Sequence, residues 1–161
     1  MTVSEYNKSV DAHSNGVYRF ILHNLRDEDE AKDIVQDTFE KLWMTHETVN
    51  YEKVKSWLFT TAYRTMLDKI RRGKKSERME EFHTDMLTTR QQTSDLKQVL
   101  REALDKLPEI QKSVIMLRDY EGYSYEEIGQ ITGLNESQVK VYIYRGRNTL
   151  KEYIGSIENV I

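Results

Sequence analysis

In SYEEIGQITGLNESQVKVYIYRGR, Ser124 to Arg147, two helical patterns are divided by a turn. Ser124 with Glu127 three residues on reads as a capping box opening a short helix, Tyr125 to Thr132. Gly133 can take the left-handed conformation that closes that helix, and Asn135 with Gln138 opens the next from Glu136. Ile128, Ile131, Leu134, Val139 and Ile143 can meet in a small shared core, with Gly129 small where the two helices approach. The second helix then exposes Lys140, Tyr144, Arg145 and Arg147, cations and an aromatic able to reach phosphates and base edges in a major groove. The pattern is that of a helix-turn-helix. A plain helical hairpin with a basic surface is the alternative, but it gives no reason for core, turn and basic helix to coincide.

Upstream, Leu96, Val99, Leu100, Ala103, Leu104 and Leu107 form an apolar stripe. Pro108 reads as a first helical position, followed by Ile110, Val114 and Leu117, with Gly122 as the stop. The first third of the chain shows loose helical spacing over residues 4–25, then Asp27 and Glu30 as a second helix start. Ala31, Ile34, Val35, Thr38, Phe39, Leu42 and Trp43 follow on one face; Asp33, Gln36, Asp37 and Glu40 lie on the other. Trp43 fits the apolar stripe better than a ligand-binding role. Residues 54–72 are helical again, with Leu58, Ala62, Met66 and Ile70 as the stripe and Gly73 as the expected end. Ser76 to Ser94 is polar and without sustained period, and reads as a linker with few apolar anchors. Two units able to move relative to one another are therefore expected.

One proline and seven glycines in 161 residues favour helices over a turn-rich β chain, and 32% charged residues suit two small units better than one thick core. The chain has no cysteine, which excludes disulfide scaffolds, thiol nucleophiles and Cys-ligated zinc. The longest apolar run is about four residues, Val114 to Leu117, far too short for a membrane span, and MTVSEYNKS has no secretory character. The cytoplasm is the expected location.

The net charge of −3 conceals a segregation of sign. Arg26 to Glu40 holds seven acids against two bases, whereas Arg64 to Arg78 holds seven bases against two acids. Lys140 to Lys151 has four bases and no acid. Runs of one charge are often no more than solvated faces; two basic patches on an acidic chain suggest nucleic acid instead. Trp57, Tyr51 and Tyr63 border the loop and the basic helix, where core packing and stacking on unpaired bases fit equally well. Other chemistry finds no support. His46-Glu47 opens like HExxH but meets Asn50 at the fifth position. The four histidines show no ligand spacing, and Gly129, Gly133 and Gly146 form no phosphate loop. The acids are solvated runs rather than a catalytic pair.

Together these stretches resemble a bacterial RNA polymerase sigma factor of the sigma-70 family, extracytoplasmic-function (ECF) type. DEAKDIVQDTFEKLW, Asp29 to Trp43, looks like the family's second conserved region, and Leu100 to Leu150 looks like its fourth. The resemblance implies an all-α protein of two domains, 1–75 and 95–161, joined by the linker 76–94, with no enzymatic turnover and no cofactor. Its partners would be core RNA polymerase (β′ and β subunits), promoter DNA and an anti-sigma factor able to clamp both units. It would place Asp33, Gln36, Asp37 and Glu40 against core polymerase. Trp57, Tyr63, Arg64, Lys69, Arg71 and Arg72 would lie at the minus-ten element, with Lys74 and Lys75 continuing the basic tail. Lys140, Val141, Tyr144, Arg145 and Arg147 would lie at the minus-thirty-five element. Arg64 departs from the family, which commonly carries Asn there; Arg can hold a phosphate or stack on a base. A dimeric helix-turn-helix regulator would need a ligand or receiver domain, and Met1 to Lys75 lacks the αβ alternation to make one. A helical antagonist using only the acidic face would leave both basic patches without a role.

Overall fold

The computed structural model describes residues 1–76 and 95–160, with side chains over 1–73 and 97–156. The predicted linker therefore lies, Ser76 apart, outside the described residues, as do the side chains of Lys74 and Lys75. Seven α-helices and no strand occur among the described residues, and the fold is all-α.

Helix α1 (Val3–Leu25) starts at a reciprocal capping box, the Glu5 amide donating to Thr2 Oγ1 at 3.1 Å and the Thr2 amide to Glu5 Oε1 at 2.9 Å. Arg26, left-handed at φ 59°, turns the chain, and Asp27 caps α2 (Glu28–Thr45) by accepting from the Glu30 amide. A 3₁₀ turn at Tyr51–Lys53 leads into α3 (Val54–Ser76). Val17, Phe20 and Ile21 of α1, Ala31, Ile34 and Leu42 of α2, and Leu58, Ala62 and Met66 of α3 are fully buried together. Each large apolar side chain so buried contributes roughly 1.5–3 kcal/mol.

The C-terminal part holds α4 (Asp95–Asp105), α5 (Glu109–Ile115), a π-helical turn at Met116–Tyr120, α6 (Tyr125–Thr132) and α7 (Glu136–Val160). The punctuation expected around the turn is in place. Ser124 and Glu127 exchange both hydrogen bonds, Gly133 closes α6 at φ 84°, and Asn135 and Gln138 bond each other's amides at 2.8 and 3.0 Å. A Cβ at Gly129 would come within 2.7 Å of the Leu134 carbonyl oxygen. The close approach is thus to the turn's backbone rather than to the second helix.

Two expectations are corrected. Pro108, at ψ 149°, is the N-cap of α5 and not its first helical residue, and its carbonyl accepts the Lys112 amide. Gly73 does not end α3, which runs on to Ser76 because nothing there requires positive φ. The two units pack against each other, a relation the sequence did not show. One buried cluster joins Val17, Phe20, Phe59 and Tyr63 to Val114, Leu117, Tyr123 and Ile128, with α6 against α3 and α5 against α1. Phe59 and Tyr123 meet edge to face at 5.7 Å across this seam.

Candidate functional site

Two faces carry the residues singled out from the sequence. On α2, Asp33, Gln36 and Glu40 are exposed and Asp37 is half-buried. Their spacing of three, four and seven keeps them on one side, opposite Ile34, Thr38 and Leu42. Below them, Trp43 is 45% and Met44 80% exposed. The sequence pattern assigned Trp43 to the core; among the described residues no third element covers its edge of the stripe. Its indole stacks on His46 at 4.5 Å and meets Tyr6 edge-on at 5.1 Å, while the Tyr6 hydroxyl donates to the Phe39 carbonyl at 3.0 Å. An acidic face thus ends in an apolar one. Trp43 and Met44 follow Gln36, Asp37 and Glu40 at helical spacing, the one signal that could have found them.

On α3, Arg64, Arg71 and Arg72 are exposed and Trp57 is half-buried. Arg71 pairs with Asp68 one turn back at 3.6 Å, and Lys69 reaches Glu30 at 3.9 Å. Tyr63 stands apart from this group. It is 4% exposed, packed on Phe20, and burial followed by the nearby Glu109 carboxylate pushes its hydroxyl up to about 12. Its open choice between core and base contact falls on the core side in the docked form.

On α7, Val141 is 42% and Tyr144 68% exposed, and Arg145 is exposed with no ion pair among the described residues. Lys140 pairs with Glu136 one turn back at 3.4 Å and lies 5.6 Å from the centre of the Tyr125 ring. The Arg118 guanidinium, itself donating to the Tyr123 carbonyl, also lies over that ring at 4.5 Å. Tyr125 therefore links the π turn to the exposed helix. Arg147, expected among the free cations, is instead held by Asp119, which raises its already high pKa through the hydrogen bond they share. Gly146 is buried because α7 crosses close to Ile115 there; a Cβ would collide with that side chain.

Residues 10–76 match the model for sigma-70 region 2, and residues 97–150 match the model for sigma-70 region 4. RNA polymerase sigma factor SigV of Bacillus subtilis (strain 168) is 35% identical over 140 residues, covering 86% of this chain and 84% of that protein.

The chain belongs to the sigma-70 family of RNA polymerase sigma factors.

Within the family it falls among the ECF sigma factors. SigM of B. subtilis (strain 168), which carries that designation, is 27% identical over 157 residues, with 94% of each chain covered. Among solved structures, the sigma factor RpoE of Bartonella quintana, in complex with the anti-sigma factor NepR, superposes with a TM-score of 0.80 at 26% identity, covering 95% of this chain and 98% of that one. The α2 face of this sigma factor lies within region 2 and the helix-turn-helix within region 4. No helix among the described residues is long and apolar enough to cross a membrane.

Proposed function

We propose that this ECF sigma factor docks on core RNA polymerase through the α2 face and reads the two promoter elements with α3 and α7. Sigma factors bind core polymerase and promoter DNA, and this chain directs promoter recognition in that sense. The division of labour among its residues is our reading. Asp33, Gln36, Asp37 and Glu40 offer carboxylates and an amide to a basic partner, and Trp43 and Met44 add an apolar anchor below them. Arg64, Lys69, Arg71 and Arg72, with Trp57, contact the minus-ten region. Lys140, Val141, Tyr144 and Arg145 contact the minus-thirty-five element, with Arg147 bracing their helix. In this reading residues 1–75 and 95–161 are the working units, and the protein acts on polymerase in the cytoplasm without turnover chemistry of its own.

The observation that carries the reading is the capped helix-turn-helix whose second helix presents Val141, Tyr144 and Arg145 to solvent. The test is reconstitution with purified core polymerase on a library of promoter sequences. Transcription that depends on the added chain, from a subset of sequences sharing two separated elements, is the expected result. Binding to duplex DNA as a dimer with no effect on core polymerase would overturn it.

A further inference from the structure

At the corner between α1 and α2, a cleft of about 390 Å³ opens against α4. That volume lies within the usual span of ligand clefts, ~300–1,000 Å³. Its walls are Leu22, His23 and Arg26 from the end of α1, Glu28 from the start of α2, and Arg101 and Asp105 from α4. Positive charge is in surplus there. Of the two carboxylates, Asp105 is largely shielded from water and already faces two cations. Arg26 Nη2 reaches its Oδ2 at 3.2 Å, and buried Lys112 lies 3.7 Å from its Oδ1. Arg101 is exposed and has no ion pair among the described residues. Glu28 is likewise exposed, at the rim. Holding α4 on α1 accounts for Arg26 and Lys112, but gives Arg101 no role.

Two further features connect this surplus to a ligand. Arg26 alone among the described non-glycine residues has a positive φ, 59°, a conformation that glycine would take with less strain. The long side chain carried at that backbone cost lines the cleft, and only Nη2 of its guanidinium is engaged, so most of its donors stay available. The second feature is the His23 ring, which is half-buried and makes no hydrogen bond among the described residues. Burial, followed by the Arg101 cation, lowers its pKa; Lys112 and Arg19 act the same way, against Asp105. A ring held toward neutrality by the cations around it marks a positive potential that the protein leaves uncompensated. Two guanidiniums beside an imidazole form a donor set matched to phosphate oxygens, since each fork can engage two of them. Leu22 adds an apolar wall, and the Glu28 carboxylate can accept from hydroxyl groups at the rim.

We propose that this cleft is a binding site for a phosphomonoester of nucleotide size, with its phosphate held by Arg26 and Arg101 beside His23 and its hydroxyl-bearing part against Leu22 and Glu28. The site shares no residue with the acidic face of α2 or with the exposed cations of α3 and α7. It goes beyond the sigma-factor reading and does not rest on it.

Calorimetric titration of the full chain with adenosine 5′-monophosphate, inorganic phosphate and adenosine is the test. The nucleotide should bind saturably at one site with a Kd below about 1 mM. Inorganic phosphate and adenosine, each lacking half of the contacts, should bind at least about tenfold more weakly. Arg101→Gln breaks no ion pair among the described residues and should weaken nucleotide binding about tenfold. Arg101→Lys should recover part of that loss, which also excludes misfolding as its cause. Arg72→Gln and Arg145→Ala, on the exposed faces of α3 and α7, should bind the nucleotide as the parent chain does. Absence of saturable nucleotide binding, or parent affinity in Arg101→Gln, would overturn the site. Loss of binding in Arg72→Gln or Arg145→Ala with Arg101→Gln unaffected would put the anion on the basic helices and overturn it equally. Inorganic phosphate binding as tightly as the nucleotide would overturn the organic part of the ligand, and adenosine doing so would overturn the phosphate contact.

Discussion

Arg147 of α7 and Asp119 of the π turn form a two-point ion pair, Nε donating to Oδ2 at 3.3 Å and Nη2 to Oδ1 in a second, shorter bond. The pair ties the long exposed helix to the segment that precedes the helix-turn-helix, so Arg147, expected to meet phosphate, has a partner within its own unit as well.

Because both partners of that pair are partly exposed, its contribution is small, on the order of 0.5–1 kcal/mol. Arg147→Ala and Asp119→Ala should each destabilise the C-terminal unit by that much and lose additivity in the double variant. Urea unfolding of the four proteins is the measurement. Full additivity, with Asp119→Ala silent in promoter binding, would return Arg147 to the role of a free phosphate contact.

Among the described residues Arg145 has no competing ion pair, whereas Lys140 must leave Glu136 to reach DNA. Arg145→Ala should therefore cost about 1–3 kcal/mol of discrimination between cognate and scrambled upstream elements, with Lys140→Ala costing less. Holoenzyme binding across a salt series separates a loss of discrimination from a uniform loss. Equal effects on both sequences would make Arg145 a backbone contact.

Asp37→Arg should weaken core polymerase binding by roughly tenfold or more while helical content is unchanged, since the side chain is half-buried and holds no buried partner among the described residues. Trp43→Ala should add to that loss, because the indole is already exposed and its removal opens no cavity. Pull-down or fluorescence titration with core polymerase tests both. A folded double variant with parent affinity would remove α2 from the interface.

Gly129→Ala would place a methyl within 2.7 Å of the Leu134 carbonyl oxygen, backbone that cannot swing aside. A loss of about 1–3 kcal/mol is expected on thermal or urea unfolding. Tolerance of the substitution would mean that the turn relaxes.

Acid should loosen the docking. His23 is half-buried beside Tyr120, and burial followed by the Arg101 cation holds its pKa below the ordinary value; Lys112 and Arg19 act the same way, and Asp105 opposes them. His13 is lowered by burial and then by Lys55, against Glu121. The His23 ring gains protons more readily once Arg101 and Lys112 leave with their unit, whereas His13 keeps Lys55 beside it and loses Glu121. The His23 contribution to docking is thus present above the ordinary imidazole value, about pH 6.5, and is lost as pH drops through its lowered value. The distance between spin labels at Glu47→Cys and Gln130→Cys, followed from pH 7.5 to 5.0, should lengthen, and His23→Gln should flatten the response. An unchanged profile in His23→Gln would assign the opening to the carboxylates.

The helices, their caps and the helix-turn-helix were legible in the sequence because they rest on neighbours. Ser124 with Glu127, Asn135 with Gln138, and Asp27 with Glu30 are bonded across three residues, and the apolar stripes repeat every turn. Such signals survive reading in one dimension. The docking did not, because Lys112 and His23 lie 89 residues apart and Arg19 and Glu121 lie 102 apart, with nothing in either stretch naming the other. The same holds for Arg147, claimed by Asp119 from 28 residues away, and for Tyr63, buried once α5 and α6 settle on α1 and α3. Trp43 failed in the opposite sense. A stripe says which side of a helix is apolar, but only the packed neighbours decide how much of that side is covered, and among the described residues Tyr6 of α1 covers the Trp43 indole only in part. Sequence alone thus determined what each helix is and most of the caps that bound it, though not the end of α3 at Ser76. Which faces meet, and which cations remain free for DNA, were decided by long-range complementarity of shape and charge.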